Sequence, residues 1–300
     1  MITLLVGSNS YAAREFLDGL SKKYDQHGIT RKDGSVLEVD NLPELFQGAS
    51  LFAEERLVVL KEVSANKIVW AALTEWLNKI PEEVRLVLIE SSPDKRTKTY
   101  KALQKAAEIK ELKELSEFEA TKWVIAFANR QGKTISQNEA SYLVDKVGFD
   151  QWQLRHAVEK LLLVDDTSKN RINELIEPTP QANVFVLIDA ALQGRKGVIS
   201  EQIKILETQE DPYRLFGLLS SQVFQLAALS QSKDVSVDQI AKDLKTHPYP
   251  LQKLKPLANK LGKREVSNIV SSVAELDLQL KTSAGEPWLL LERTLIKIAN

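Results

Sequence analysis

Short apolar runs and amphipathic stretches alternate through the first third of the chain. Ile2–Val6, Val36–Val39, Leu57–Leu60, Val84–Ile89 and Ile109–Leu112 read as strands; Ser10–Leu20 (with Ser10 as cap), Val69–Lys79 and Lys98–Ala107 read as helices. Parallel strands need a long crossover, usually a helix, so this pattern predicts a mainly parallel α/β sheet. From Ser116 onward the pattern is helical throughout. Ser116-Glu117-Phe118-Glu119 and Ser136-Gln137-Asn138-Glu139 are capping boxes, and Asp150 caps a third helix running to about Val164. Asn170–Pro180 (NRINELIEPTP) carries two prolines, which suggests a domain boundary around Pro178–Asn183. Further helices are expected at Val184–Gln193, Ser200–Thr208, Pro212–Ser230, Val237–Lys245, Leu251–Leu261, Glu265–Lys281 and Pro287–Ile298. The fold class expected is α/β plus all-α, divided into residues 1–115 (α/β), 116–180 (three short helices) and 181–300 (helical). Three hundred residues suit two or three domains.

In open α/β sheets ligands bind beyond the carboxyl ends of the strands, so the loops after Val6, Leu60 and Ile89 are the places to search for chemistry. A phosphate-binding loop needs several glycines, a lysine and a Ser/Thr for magnesium. The first loop is Gly7-Ser8-Asn9-Ser10-Tyr11, with no second glycine and no lysine. Gly132-Lys133-Thr134 follows a helical segment and has Phe127 where the first glycine would stand, so it is rejected. After the third strand come Lys61 and Glu62, not a pair of acids. His27, His156 and His247 are scattered without metal-ligand spacing, and Asp165-Asp166 reads as a helix-terminating loop. No catalytic centre, cofactor site or metal site is expected.

Lys and Arg number 40 against 41 Asp and Glu, so the molecule is no polycation and any contact with DNA must come from a local patch. Cysteine is absent, which excludes disulfides and thiolate metal sites. The start MITLLVGSNS lacks the cationic region of a secretory signal, and no apolar run reaches membrane-spanning length; a cytoplasmic protein is expected.

Two stretches stand out as surfaces. Asn41–Glu62 (NLPELFQGASLFAEERLVVLKE) reads as a short helix with Asp40 or Asn41 as cap, stopped by Gly48, then Ala49-Ser50-Leu51-Phe52 ahead of the third strand. Leu51 and Phe52, fenced by Glu54, Glu55 and Arg56, either tuck under their own sheet or serve a partner. Lys95, Arg96, Lys98, Lys101 and Lys105 form a run without an intervening acid; Lys98, Lys101 and Lys105 share a helical face. That face suits either solvent or DNA phosphates.

The chain resembles the delta subunit family of the bacterial DNA polymerase III clamp loader over nearly its whole length. The resemblance is carried by SLFAEERLVVL (Ser50–Leu60), ESSPDKRTKTYKAL (Glu90–Leu103), VGFDQWQLRHAVEKL (Val147–Leu161), NVFVLIDAALQG (Asn183–Gly194) and the stretch from His247 to Asn300. That last stretch includes Asp277-Leu278-Gln279-Leu280-Lys281-Thr282 and a closing helix over Leu290–Leu295. The resemblance implies an AAA+-type α/β domain with a degenerate nucleotide site, a three-helix lid and a helical collar that joins other loader subunits in a five-membered ring. It implies binding of the sliding clamp through Leu51 and Phe52, flanked by Ala49 and Ser50, to open the ring for primed DNA. Family members can carry a larger apolar residue two positions before the Leu; the small Ala49 at that place here implies that part of the grip is weaker or supplied elsewhere. ATP and magnesium would be bound by partner subunits. Trp152 stands where an active lid would hold a phosphate-sensing arginine. Two other readings are an inactive scaffold subunit and an ATPase with an unorthodox nucleotide loop.

Overall fold

The computed structural model describes residues 1–47, 55–232 and 235–300. The chain forms two units, Met1–Leu115 and Ser116–Asn300. The first contains β1 (Ile2–Val6), α1 (Ser10–Ser21), β2 (Ile29–Asp33), α2 (Leu42–Gln47), β3 (Arg56–Lys61), α3 (Lys67–Trp76), β4 (Val84–Glu90), α4 (Lys98–Ala106) and β5 (Ala107–Glu111). All strands are parallel, in the order β2-β3-β4-β1-β5. Side chains alternate across a strand, so each central run feeds two layers. Leu4, Val58, Leu60, Leu86 and Leu88 meet Phe46, Trp70, Leu73, Tyr100 and Leu103 from α2, α3 and α4. On the other face Leu5, Leu57, Val59 and Val87 meet Ala13 and Leu17 of α1. The edge strands are more polar: Arg31, Lys32 and Asp33 of β2 are exposed, as are Glu108 and Glu111 of β5.

The structure corrects two local expectations in this unit, the second strand and the cap of α1. The second strand is Ile29–Asp33, not Val36–Val39. As an edge strand it has only Ile29 and Thr30 partly covered, so it lacks the apolar run that marks a central strand. Gly34–Val36 is instead a 3-10 turn capped by Asp33, and Val36 is 77% exposed. Helix α1 is capped by Asn9 rather than Ser10, the Asn9 side chain accepting from the Ala12 N–H at 2.9 Å. Ahead of α2, Glu38 and Asn41 cap each other around a 3-10 turn, Val39–Asn41.

The second unit contains α5 (Glu117–Arg130), α6 (Gln137–Val147), α7 (Gln151–Leu163), α8 (Lys169–Leu175), α9 (Pro180–Leu192), α10 (Lys196–Glu207), α11 (Pro212–Gln231), α12 (Val237–Asp243), α13 (Pro248–Lys260), α14 (Lys263–Lys281) and α15 (Pro287–Ile298). Both predicted capping boxes are present, at Ser116/Glu119 and Ser136/Glu139, and Asp150 caps α7. Helix α8 was not expected. Ser168 caps it, and the prolines that suggested a boundary, Pro178 and Pro180, lie just past its end. Helix α9 starts at Pro180 behind the cap Thr179. From there Leu187, Ile199, Leu226, Leu254, Leu276 and Leu291 share one core. The α13 residue Tyr249 is tied to the α6 region: its hydroxyl donates to Asp145 at 2.9 Å, and its ring meets Phe149 edge-on at 4.1 Å. Burial and the Asp145 carboxylate hold the Tyr249 phenol well above its usual range. Among the described residues no helix is long and apolar enough to cross a membrane.

Candidate functional site

The loop after β1 is where a parallel sheet of this kind presents a ligand-binding crevice. Here it is bound to the chain's own exit from β5. Leu112 N–H donates to Val6 O at 2.7 Å, and Asn9 N–H donates to Leu112 O at 3.3 Å. The Asn9 amide nitrogen donates to Lys113 O at 2.9 Å, and the Ser8 hydroxyl donates to Glu114 Oε1 at 3.0 Å. The approach is close enough to require glycine. Gly7 has φ +140°, and a Cβ built on it would lie 2.1 Å from Leu112 O. The Ser8 and Asn9 side chains and the Asn9 N–H are thus engaged with residues 112–114. The rejected Gly132-Lys133-Thr134 is also committed elsewhere: Lys133 Nζ pairs with Asp165 at 2.6 Å.

The acids at the ends of β3 and β4 turn inward. Glu90 is fully buried, and its carboxylate accepts from the Val63 N–H at 2.9 Å and the Ser64 N–H at 3.1 Å. Glu62, in the left-handed region at φ 52°, accepts from the Ser91 backbone N–H at 3.0 Å and from the Ser91 hydroxyl. Among the described residues no group of three or more His, Cys, Asp or Glu could hold a metal ion. Sequence reading missed the role of Glu90; an acid closing the apolar run Val84–Glu90 was the available signal, but its donors lie 26 and 27 residues away.

Burial raises the Glu90 pKa despite the hydrogen bonds from Ser64 and Val63, and the Glu62 charge raises it further. A raised folded-state pKa means that the native chain holds this proton longer than the unfolded chain. Its favourable contribution is complete below the ordinary value of 4.5 and is lost as pH rises through the folded value. Glu90→Gln should therefore flatten the fall in stability above that pH, followed by urea denaturation at successive pH values. An equally steep fall in the variant would show that another group sets it.

Of the sequence-predicted contact residues, Ala49, Ser50, Leu51 and Phe52 lie outside the described residues. Both flanks are firmly placed. Leu42, Leu45 and Phe46 of α2 are buried, with the Phe46 and Trp76 rings 5.9 Å apart. The chain enters β3 with Arg56 N–H donating to Glu83 O at 2.8 Å. Because the strands are parallel, Arg56, at the start of β3, stands at the opposite end of the strands from Gly7, which follows β1. Of the basic run, Arg96 is engaged: its Nε and Nη2 each lie 2.9 Å from the Asp94 carboxylate, and this pairing holds Asp94 down to about 2. Lys98, Lys101 and Lys105 lie exposed along α4, opposite its buried Thr99, Tyr100 and Leu103, and Lys95 is exposed just before the helix.

Two family models match the chain: "DNA polymerase III, delta subunit" over residues 17–113, and "DNA polymerase III delta subunit, C-terminal domain" over residues 181–298. The chain belongs to the DNA polymerase III delta subunit family. The DNA polymerase III subunit delta of Bacillus subtilis (strain 168) is 28% identical over 285 residues, covering 87% of this chain and 82% of that protein. The solved structure titled Bacillus subtilis DNA clamp loader delta protein (YqeN) matches with a TM-score of 0.74 at 22% identity, covering 99% of this chain and 95% of that one. That second likeness is one of fold, and it extends through both units. A parallel α/β domain followed by helices alone is the fold class expected of the family.

Proposed function

We propose that this delta-family chain grips the DNA polymerase sliding clamp through Leu51 and Phe52, with Ala49 and Ser50 beside them, and helps open the ring so that primed DNA enters. It acts in the cytoplasm without hydrolysing ATP. ATP and magnesium are held by other loader subunits, which join it through residues 181–300. The observation that carries the nucleotide-free reading is the closed loop after β1: no lysine, and Ser8 and Asn9 bonded to residues 113 and 114. The name of the Bacillus subtilis relative supports the clamp-loader role. Lys98, Lys101 and Lys105, with Lys95, suit DNA phosphates inside the assembled complex, whereas Arg96 serves its own turn through Asp94.

The physical demand on a ring opener is differential affinity. A ligand shifts an equilibrium only as far as it prefers one state, so the open clamp must be bound more tightly than the closed one. An aliphatic and an aromatic anchor entering a pocket supply attachment, and neighbouring loops supply the preference. The test is binding of the purified chain to its own organism's sliding clamp without nucleotide, together with equilibrium dialysis against ATP. Clamp binding with no ATP uptake supports the reading. A chain that binds ATP with magnesium is an ATPase with an unorthodox loop, and one that joins loader subunits but ignores the clamp is a scaffold.

A further inference from the structure

The helical unit, proposed above to join other loader subunits, also carries a charge imbalance that this role does not explain. The chain is balanced as a whole, yet residues 244–264 (LKTHPYPLQKLKPLANKLGKR) hold six Lys and Arg and no Asp or Glu. Helix α13 buries Tyr249, Leu251, Leu254 and Ala258. Its opposite side exposes Gln252, Lys255, Asn259 and Lys260, spaced i, i+3, i+7 and i+8, and the first turn of α14 adds exposed Lys263 and Arg264. Lys253, on the flank of the helix, spends its charge on Asp145 at 2.6 Å. Among the described residues Lys255, Lys260, Lys263 and Arg264 have no ion-pair partner. Lys263 and Arg264 also face the unfavourable, positive end of α14, where acids belong. The Glu265 side chain turns back to cap that end, accepting from the Gly262 N–H at 2.6 Å.

We propose that this stripe, Gln252, Lys255, Asn259, Lys260, Lys263 and Arg264, is a nucleic-acid backbone surface that reads no base sequence. Cations and amide side chains are the groups that contact phosphates, and Lys255 and Lys260 stand roughly 7.5 Å apart along the helix axis and about 140° apart around it, flanking the exposed side on which Gln252 and Asn259 lie. No aromatic side chain stands in the row to stack on bases, so single strands and duplexes are both accepted. An acidic protein is the poorer partner, because protein interfaces are depleted in lysine and need an apolar or aromatic anchor. Among the described residues from 236 to 269 no large apolar side chain is exposed, which also leaves nothing to insert into a membrane. The surface is separate in sequence from Lys95–Lys105 and from the clamp contact, and rests on neither.

The test uses the full-length chain with fluorescein-labelled oligo-dT and a mixed-sequence duplex, read by anisotropy across a salt series. Lys255→Ala/Lys260→Ala/Lys263→Ala/Arg264→Ala should weaken binding at least about tenfold at low salt and reduce the slope of log K against log salt by about 3, the value for four phosphate contacts. Lys98→Ala/Lys101→Ala/Lys105→Ala should leave that component in place, and clamp binding by the stripe variant should be unchanged. If the fourfold variant fails to fold, Lys260→Glu alone should weaken binding in the same direction. Three results overturn the assignment: no binding by the unmodified chain, an affinity and slope unmoved by the stripe substitutions, or labelled polyglutamate bound as tightly as the oligonucleotide.

Discussion

A Leu51→Ala/Phe52→Ala chain is expected to bind the sliding clamp at least about 100-fold more weakly than the unmodified chain while remaining fully folded. Interface anchors of this type cost roughly 2 kcal/mol or more each when truncated, and about 1.4 kcal/mol is a factor of ten. Two such losses would exceed a hundredfold even with the shortfall that neighbouring truncations usually show. The fold should survive because both flanks are anchored by their own contacts: Leu42, Leu45 and Phe46 on one side, and the buried run Leu57–Leu60 on the other. Surface plasmon resonance against immobilised clamp, with circular dichroism as the folding control, separates the two effects. Unchanged affinity in a folded double variant would remove these residues from the contact. A double variant that loses its helical and strand signal would place them in the core of the first unit instead.

The second large effect is expected at Gly7. Gly7→Ala should lower the stability of the chain by about 3 kcal/mol or more in urea denaturation. Part of this is conformational, since a backbone region open almost only to glycine costs roughly 1–3 kcal/mol for any other residue. The rest is steric. An added methyl would meet Leu112 O at 2.1 Å and Leu112 C at 2.7 Å, both backbone atoms held in place by the hydrogen bond from Leu112 N–H to Val6 O. Gly132→Ala is the control: its φ is +74°, but an added Cβ would meet nothing within 4 Å. It should show the left-handed backbone penalty alone, about 1–2 kcal/mol. Equal losses at both sites would mean that the segment after β5 does not press on the first loop.

How much of this was legible in the sequence follows from the range of each interaction. The central strands announce themselves because both faces are covered, so Leu57–Leu60 and Val84–Ile89 are nearly continuous apolar runs. The helices of the second unit announce themselves through caps three residues apart, as at Ser116 and Glu119. Edge strand β2 has no such run, and α8 has a single buried apolar residue, Ile172, ahead of a proline-rich exit. That the first loop has no second glycine and no lysine was visible in Gly7-Ser8-Asn9-Ser10-Tyr11 itself. What the loop is bonded to was not, since Ser8 and Asn9 find their partners 106 and 104 residues away. Glu90 escaped for the same reason. The stripe on α13 was legible as composition, but only the burial of Tyr249, Leu251, Leu254 and Ala258 shows that its cations share an outward side.

The two rims of the sheet bear on how such a subunit survives before it is assembled. A parallel sheet ends in two rows of unpaired backbone groups, and an exposed, uncharged rim invites a strand from another molecule. Here one rim carries Arg31, Lys32 and Asp33 on a strand of five residues, and the other carries Glu108, Lys110 and Glu111. A strand from a second copy would have to strip these charged side chains of their water. Aggregation through the sheet is thereby discouraged from the moment the domain folds.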